Sequence, residues 1–365
     1  MNIKNKKYKI CTIGAFPPPV HGLALINKAM KDKFIKAGIK PLVINTSTKI
    51  LNRSFFNIFY RFSKIILIFP KFIFHILINR IDYIYIGLSG GYGQIYDLIF
   101  ITIGTLLKSK IYIHHHSFAY LNKKSILTKL IVNISKNSAI HIVLCNNMKE
   151  KLIQYNENIN IHILSNAVFL SSPNLKNFEN TSKNLLIGFL SNISFEKGIK
   201  EYFEVLRKLL NNSYSVSGII AGSITNKQSK KYLETNLEEL KDVVYIGKVE
   251  TKEKTDFLNK IDLLLMPTQY KNEAEPLVIH EAMSHGVAVI AWNRGCISNI
   301  ISQNTGVVIK KDKHYVKSAV NQIIDWIEHP DKLIKTRELA YQQFNDLKSN
   351  NLAQLNKILN TISNH

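Results

Sequence analysis

Apolar residues along the chain follow two alternating periods. Runs such as "YKICTIG" (8–14), "PLVIN" (41–45), "DYIYIG" (82–87), "KIYIH" (110–114), "IHIVL" (140–144) and "IHIL" (161–164) are short and rich in β-branched and aromatic residues, as strands are. Between them apolar positions recur at helical spacing, near 22–37, 53–79, 95–107, 123–137 and 147–155. Strand, helix and strand in that order predict βαβ units on a parallel sheet. The Ser-, Asn- and Pro-rich stretch 165–184 breaks the pattern and reads as a linker. Beyond it the alternation restarts, with strands at 185–190, 216–221, 243–246, 262–266, 287–291 and 306–309. Helices are expected near 198–211, 226–240, 251–259, 276–285 and 295–302, then three helical segments from 313 to 362.

The expectation is an α/β protein with a Rossmann-like domain at 1–166, a linker at 167–183 and a second such domain at 184–345. A C-terminal helix at 346–365 is expected to pack back toward the first domain. Two doubly wound parallel-sheet domains would face each other across a cleft, and ligands in such sheets bind beyond the carboxyl ends of the strands.

Composition sharpens this picture. A hydrophobic content of 46% suits a globular core. The net charge of +22 is unevenly placed: residues 1–170 hold 23 Lys/Arg and 5 Asp/Glu, residues 171–365 hold 25 and 21. A codon bias toward lysine would act on both halves alike, so the first half reads as a surface for an anionic partner. Its segment 53–80 mixes Phe, Ile and Tyr with Arg53, Arg61, Lys64, Lys71 and Arg80, a pattern suited to a membrane interface. The competing reading is a pair of core helices with snorkelling ends. No apolar run reaches the roughly 18 residues of a spanning helix. No secretory signal is apparent, which leads to the expectation of a cytoplasmic protein, peripheral to the inner face of the membrane.

Several chemistries lack their residues. "GLSGGYGQIYD" (87–97) follows a strand but has Tyr96 where a dinucleotide loop needs its third glycine, and no Walker lysine loop occurs. The three cysteines contain no Cys-x-x-Cys pair. "HHH" (114–116) ends a strand, where successive side chains point to opposite faces, so the three histidines cannot share one ion. No metal or other cofactor is expected. Basic residues interleaved with stacking aromatics on a recognised module are not seen, so nucleic acid is not the expected partner.

Three stretches do carry chemistry. In "AFPPPVHGLALINKAM" (15–30) a strand ends and Gly22 opens a helix, whose N-terminus favours an anion. "FLSNISFEKGIKEYFEVL" (189–206) repeats the logic, with Lys197 as a point charge at the mouth. In "NEAEPLVIHEAMSHG" (272–286) Pro276 fits a first helical position, so Leu277 and Val278 present the first free N–H groups. Glu281 lies more than one turn into that helix, among apolar neighbours, where a buried carboxylate needs hydrogen-bond partners.

The frame "EAEPLVIHEAMSHGVAVIAWNRG", with Glu273 and Glu281 eight residues apart, resembles the signature of the retaining glycosyltransferases of family 4, which have the GT-B fold. "SFEKG", "PPVHG", "SNAV" (165–168) and "NTGVVI" (304–309) resemble further motifs of that family over most of the chain. The resemblance implies transfer of a hexosyl group from a nucleotide-diphosphate sugar to a hydroxyl of a glycan or lipid-linked glycan, in bacterial surface-polysaccharide synthesis, with retention and without a metal. It implies Glu273 at the donor sugar and Glu281 at the ribose. Lys197, with the N–H groups of Leu277 and Val278, would hold the diphosphate, and Gly22 would approach from the first domain. His116 would lie beside the sugar, with His114 as the fallback. The chain departs from the family at Asn192, where an arginine is usual; Arg294 is the candidate substitute. The alternatives are a nucleic-acid-binding protein, an epimerase, a phosphorylase or a non-catalytic sugar-nucleotide binder.

Overall fold

The structure is a computed structural model that describes residues 9–47, 55–79, 81–173, 178 and 184–363. Side chains are described in helix 55–79 only from 66 to 78, so Arg53, Arg61, Lys64, Arg80 and most of the expected linker lie outside what is described. The chain forms two compact units, Met1–Phe169 with Ser349–His365, and Leu170–Lys348.

The first unit carries β1 (Ile10–Gly14), β2 (Pro41–Asn45), β3 (Tyr83–Leu88), β4 (Lys110–His115), β5 (Ala139–Val143) and β6 (Asn160–Ile163). They form one parallel sheet in the order β2-β1-β3-β4-β5-β6. Its helices are α1 (Gly22–Lys36), α2 (Phe55–Asn79), α3 (Gln94–Leu106), α4 (Ala119–Asn122), α5 (Ile126–Ser135) and α6 (Asn146–Ile153). Strands buried on both faces read as near-continuous apolar runs, and β1 and β3 are buried at every position.

One face of this sheet is closed by α1, through Met30 and Phe34 against Tyr83, Tyr85 and Ile142. Leu355, Ile358, Leu359 and Ile362 of the C-terminal helix join the same cluster. Polar contacts fix that helix end: Tyr83 Oη donates to Thr361 O (3.1 Å), Lys9 Nζ to Ser363 O (2.7 Å) and the Ser165 amide to Asn351 Oδ1 (2.9 Å). The opposite face is covered by α3, whose Gly104 packs on Ile84 and Ile111 so closely that a Cβ would lie 2.5 Å from Ile84 Cδ1. Right-handed crossovers put α2 and α5, which also carry the chain forward along the sheet, on that face with α3.

The second unit repeats the plan with β7 (Leu185–Leu190), β8 (Val216–Ala221), β9 (Val243–Tyr245), β10 (Leu263–Met266), β11 (Ala288–Trp292) and β12 (Val307–Ile309), in the parallel order β12-β11-β10-β7-β8-β9. Its helices are α7 (Ile199–Asn211), α8 (Lys227–Glu239), α9 (Thr251–Lys260), α10 (Leu277–Ser284), α11 (Ile297–Ile300) and α12 (Tyr315–Glu328). The core joins Tyr202, Phe203 and Leu206 of α7 to Tyr315, Ile323 and Trp326 of α12 over the sheet.

The three helical segments expected at the C-terminus are two. Helix α12 stops before Pro330, whose ring opens α13 (Pro330–Ser363). No glycine or proline occurs from 331 to 363, so nothing interrupts α13 for 34 residues. In the second unit Arg337 anchors it, donating from Nη1 to Asp262 Oδ1 (3.1 Å) and from Nε to Gly286 O (2.8 Å). The linker residues Ser172 and Pro173 dock on it too, bonding Asn345 (2.8 Å) and Tyr341 Oη (2.8 Å).

Candidate functional site

In the second unit the chemistry gathers where strands end. After β7, Ser194 caps a 3-10 turn, Phe195–Lys197, its Oγ accepting from the Lys197 amide (3.2 Å). Gly198 then adopts φ +89°, and a Cβ there would lie 2.4 Å from Pro267 O. Only glycine lets the lysine loop sit this close to the loop that follows β10. The two loops are tied again by the Gln269 amide, which donates to Glu196 O (2.8 Å), and by Gln269 Nε2 to Glu201 Oε1 (2.6 Å). Burial raises the pKa of Glu201.

This locking brings Lys197 to Glu273, with Nζ 2.5 Å from Oε2. Thr268 Oγ1, on a fully buried residue, donates to the same oxygen (3.2 Å). The ammonium also lies over the Tyr270 ring, 4.8 Å from its centroid. Glu273 Oε1 has no hydrogen-bond partner among the described residues, so one carboxylate oxygen is fixed and the other is unpaired.

Glu281 has the same character. Its Oε1 accepts from Lys254 Nζ of α9, while Oε2 has no partner among the described residues. Helix α10 begins at Leu277, and Pro276 is its N-cap, one position earlier than expected (φ −65°, ψ 119°). The extended ψ of Pro276 takes it out of the helix, so Leu277 occupies the first turn. Leu277 and Val278 are half-buried, and their N–H groups, at the helix start, have no hydrogen-bond partner among the described residues. Glu275 and His280 form a fully enclosed pair, Oε1 to Nε2 3.3 Å, that pins the approach to α10.

The Arg294 loop docks on the same corner. Cys296 N donates to Ala274 O (2.8 Å), and Gly295 (φ +53°) leaves room for the carbonyls of Glu273 and Ala274, which a Cβ would meet at 2.4 Å. Arg294 is half-buried, and its Nε has no partner among the described residues. Asn192 is exposed on the loop after β7 and bonds neither Lys197 nor Glu273 among the described residues.

Gly22 and His116 lie in the first unit. Gly22 opens α1, as expected, and a Cβ there would meet nothing within 4 Å, so no internal contact requires a glycine. The histidines divide between the faces of the sheet. Tyr85 Oη bonds His114 Nδ1 (2.7 Å), and the His114 ring lies 4.0 Å from that of His116. His115 turns the other way, to Tyr120 Oη (3.1 Å) and His141 Nδ1 (3.0 Å). Burial lowers the pKa of His116 to about 3 and that of His141 to about 4; His114 and His115 are also held well below the ordinary 6.5.

Sequence reasoning singled out Glu273, Glu281 and Lys197, and missed Thr268, Tyr270, Lys254 and the Glu275–His280 pair. Thr268 and Tyr270 were in reach, since they follow the strand that precedes Glu273. Lys254 was not, because it meets Glu281 from another helix, 27 residues away.

Two Rossmann-like units, each a parallel sheet of six strands flanked by helices, have the GT-B fold. Residues 172–343, nearly all of the second unit, match the family described as "Glycosyl transferases group 1". No curated protein sequence matches the chain. Among solved structures, HepE of Anabaena in complex with UDP aligns at TM-score 0.70 and 15% identity, over 98% of this chain and 100% of that one. Sucrose-phosphate synthase of Thermosynechococcus elongatus aligns at 0.71 and 12%, over 97% and 99%. A glycosyltransferase of Rickettsia africae aligns at 0.69 and 17%, over 98% and 99%. At these identities the structural likeness establishes the fold.

Proposed function

We propose that the chain is a retaining glycosyltransferase that moves a hexosyl group from a nucleotide-diphosphate sugar to a hydroxyl of a glycan or lipid-linked glycan acceptor, in bacterial surface-polysaccharide synthesis. The observation that carries this reading is the arrangement of Lys197, Glu273, Glu281 and the start of α10 around the ends of β7 and β10. One cation and two unpaired N–H groups at a helix start suit a diphosphate. Two carboxylates, each with one oxygen held by a protein donor, suit hydroxyl groups. The family match of this same unit and the UDP held by HepE support a nucleotide sugar as donor.

In this reading Glu281 accepts hydrogen bonds from the ribose and Lys254 holds it in position. Lys197 and the amides of Leu277 and Val278 stabilise the negative charge that grows on the leaving diphosphate. Glu273 receives sugar hydroxyls and steadies the positive character at the anomeric carbon. The bond from that carbon to the phosphate oxygen breaks as the bond to the acceptor oxygen forms on the same face, and the acceptor proton passes to the leaving phosphate. His116 and Gly22 are the residues of the first unit that the reading assigns to the donor. The Arg294 side chain is the candidate second cation, in place of the residue at Asn192.

A panel of UDP and GDP sugars, read by thermal shift and by slow donor hydrolysis, tests this. One donor should raise Tm by several degrees. Glu281→Ala should abolish that shift; Glu273→Ala should keep much of it and lose turnover. A shift without hydrolysis or transfer for any donor would favour a non-catalytic sugar-nucleotide binder instead.

A further inference from the structure

Helix α2 is apolar on the side it buries and on the side it shows. Phe69, Phe72 and Ile76, at helical spacing, face inward; Phe69 and Phe72 pack on Phe100 of α3 with ring centroids 4.6 and 5.0 Å apart. That contact accounts for one stripe of the helix. The other stripe is equally apolar: Leu67 is 77% exposed, Phe74 57%, Leu77 57% and Ile78 63%. A surface helix ordinarily turns charged residues to water; residues 66–78 of α2 hold a single Lys/Arg/Asp/Glu residue, Lys71, so this stripe needs a second cover.

Helix α3 beside it, and α5 beside α3, carry exposed apolar residues too. On α3, Ile95, Ile99 and Leu106 are exposed, and on α5 Ile126, Leu130 and Ile134 follow one another at i, i+4 and i+8. All three helices lie on the same face of the sheet, the one opposite α1. Single exposed apolar residues are normal on a protein surface, but stripes on three adjacent helices are not.

The charges around this face say what covers it. Lys71, Lys108, Lys123, Lys124 and Lys129 are exposed on or beside these helices. Residues 55–135 contain only two acidic side chains, Asp82 and Asp97. Asp97 is buried and accepts from the Ser89 amide (2.7 Å). Two copies of such a surface would repel. An anionic lipid surface takes both features at once, with apolar side chains entering the acyl boundary and lysines meeting the headgroups.

We propose that the α2–α3–α5 face of the first unit docks on an anionic lipid bilayer, with α2 lying in the interface plane. Among the described residues no helix is long and apolar enough to cross a membrane. The docking face belongs to the first unit and the Lys197–Glu273 corner to the second, so the proposal does not depend on the sugar-transfer reading.

Co-sedimentation of the full chain with vesicles tests it. Binding to vesicles of phosphatidylcholine with phosphatidylglycerol should exceed binding to phosphatidylcholine alone at least tenfold and weaken as salt is added. Leu67→Ser with Phe74→Ser and Leu77→Ser, all at exposed positions, should lower that binding at least tenfold and leave any nucleotide-dependent thermal shift unchanged. Should that variant fail to fold, Leu67→Trp in the otherwise unaltered chain gives an independent reading. Its fluorescence, taken as the difference from the parent chain, should shift to the blue with anionic vesicles and be quenched by brominated lipid. Three results would overturn the proposal: equal binding to neutral and anionic vesicles, no binding to either, or a difference fluorescence that brominated lipid leaves unquenched. Concentration-dependent dimerisation that the triple substitution abolishes would also overturn it, by making the face an interface between two copies.

Discussion

Gly198 shows how one residue sets the geometry of the site. Its φ of +89° is strained for any side chain, and Pro267 O stands where a Cβ would go. Gly198→Ala should therefore cost several kcal/mol, adding backbone strain of about 1–3 kcal/mol to a backbone clash. Urea denaturation should register that loss, and the lysine loop should shift away from Glu273. Thr268 is a gentler probe. Its hydroxyl bonds a carboxylate, a type of interaction worth about 1.5–3 kcal/mol. Thr268→Val should leave Glu273 less firmly held and lower kcat by roughly tenfold, on a rate scale of about 1.4 kcal/mol per decade. A rate equal to that of the parent chain would mean that Lys197 alone positions the carboxylate.

At the scale of elements, α13 is the telling case. Its last turns place Leu355, Ile358 and Ile362 in the core of the first unit, each at 1% exposure or less. Leu355→Ala should destabilise by about 2–5 kcal/mol, as other large-to-small core changes do, and thermal unfolding should show it as a lower Tm. The histidines on and beside β4 make a different prediction. His116 sits near 3 and His141 near 4 because burial disfavours their charged forms. The unfolded chain binds protons on these residues below about 6.5, and the folded chain refuses them until the lower values are reached. Stability from this source is complete above about pH 6.5 and falls as pH drops through that window, by roughly 1.4 kcal/mol per pH unit for each histidine. Urea midpoints between pH 7.5 and 5 should follow this slope, and His141→Gln should reduce it by one proton's worth.

At the scale of the molecule, the twelve strands of the described residues lie within two residues of the runs read from hydrophobic periodicity. The helices are less faithful: the helix expected at 123–137 is α5, the short α4 just before it was not expected, and three C-terminal segments became two. Periodicity marks which stretches are helical but says little about where a helix breaks, since that depends on caps and packing. The Lys197–Glu273 corner was legible where its residues are close in sequence, as Glu273 and Glu281 are, or where a loop motif marks them, as with Lys197. Lys254 was hidden because its partner is a tertiary neighbour. The alternation of a strand did foretell the divided histidines, with His114 turned to Tyr85 and His115 to His141. The uneven charge was visible in the sequence as well, but its meaning was not, because an apolar stripe on α2 is equally suited to a core or to a lipid surface.

The sequence alone determined the alternation of strands and helices, the division into two similar halves and the residue types available to the chemistry, because local propensity and periodicity depend only on neighbours along the chain. Tertiary structure alone decided which oxygen of each glutamate is fixed, which lysine meets which carboxylate and which apolar stripe of α2 remains uncovered. Those outcomes depend on close approach between segments far apart in sequence, such as the 2.5 Å contact of Lys197 with Glu273.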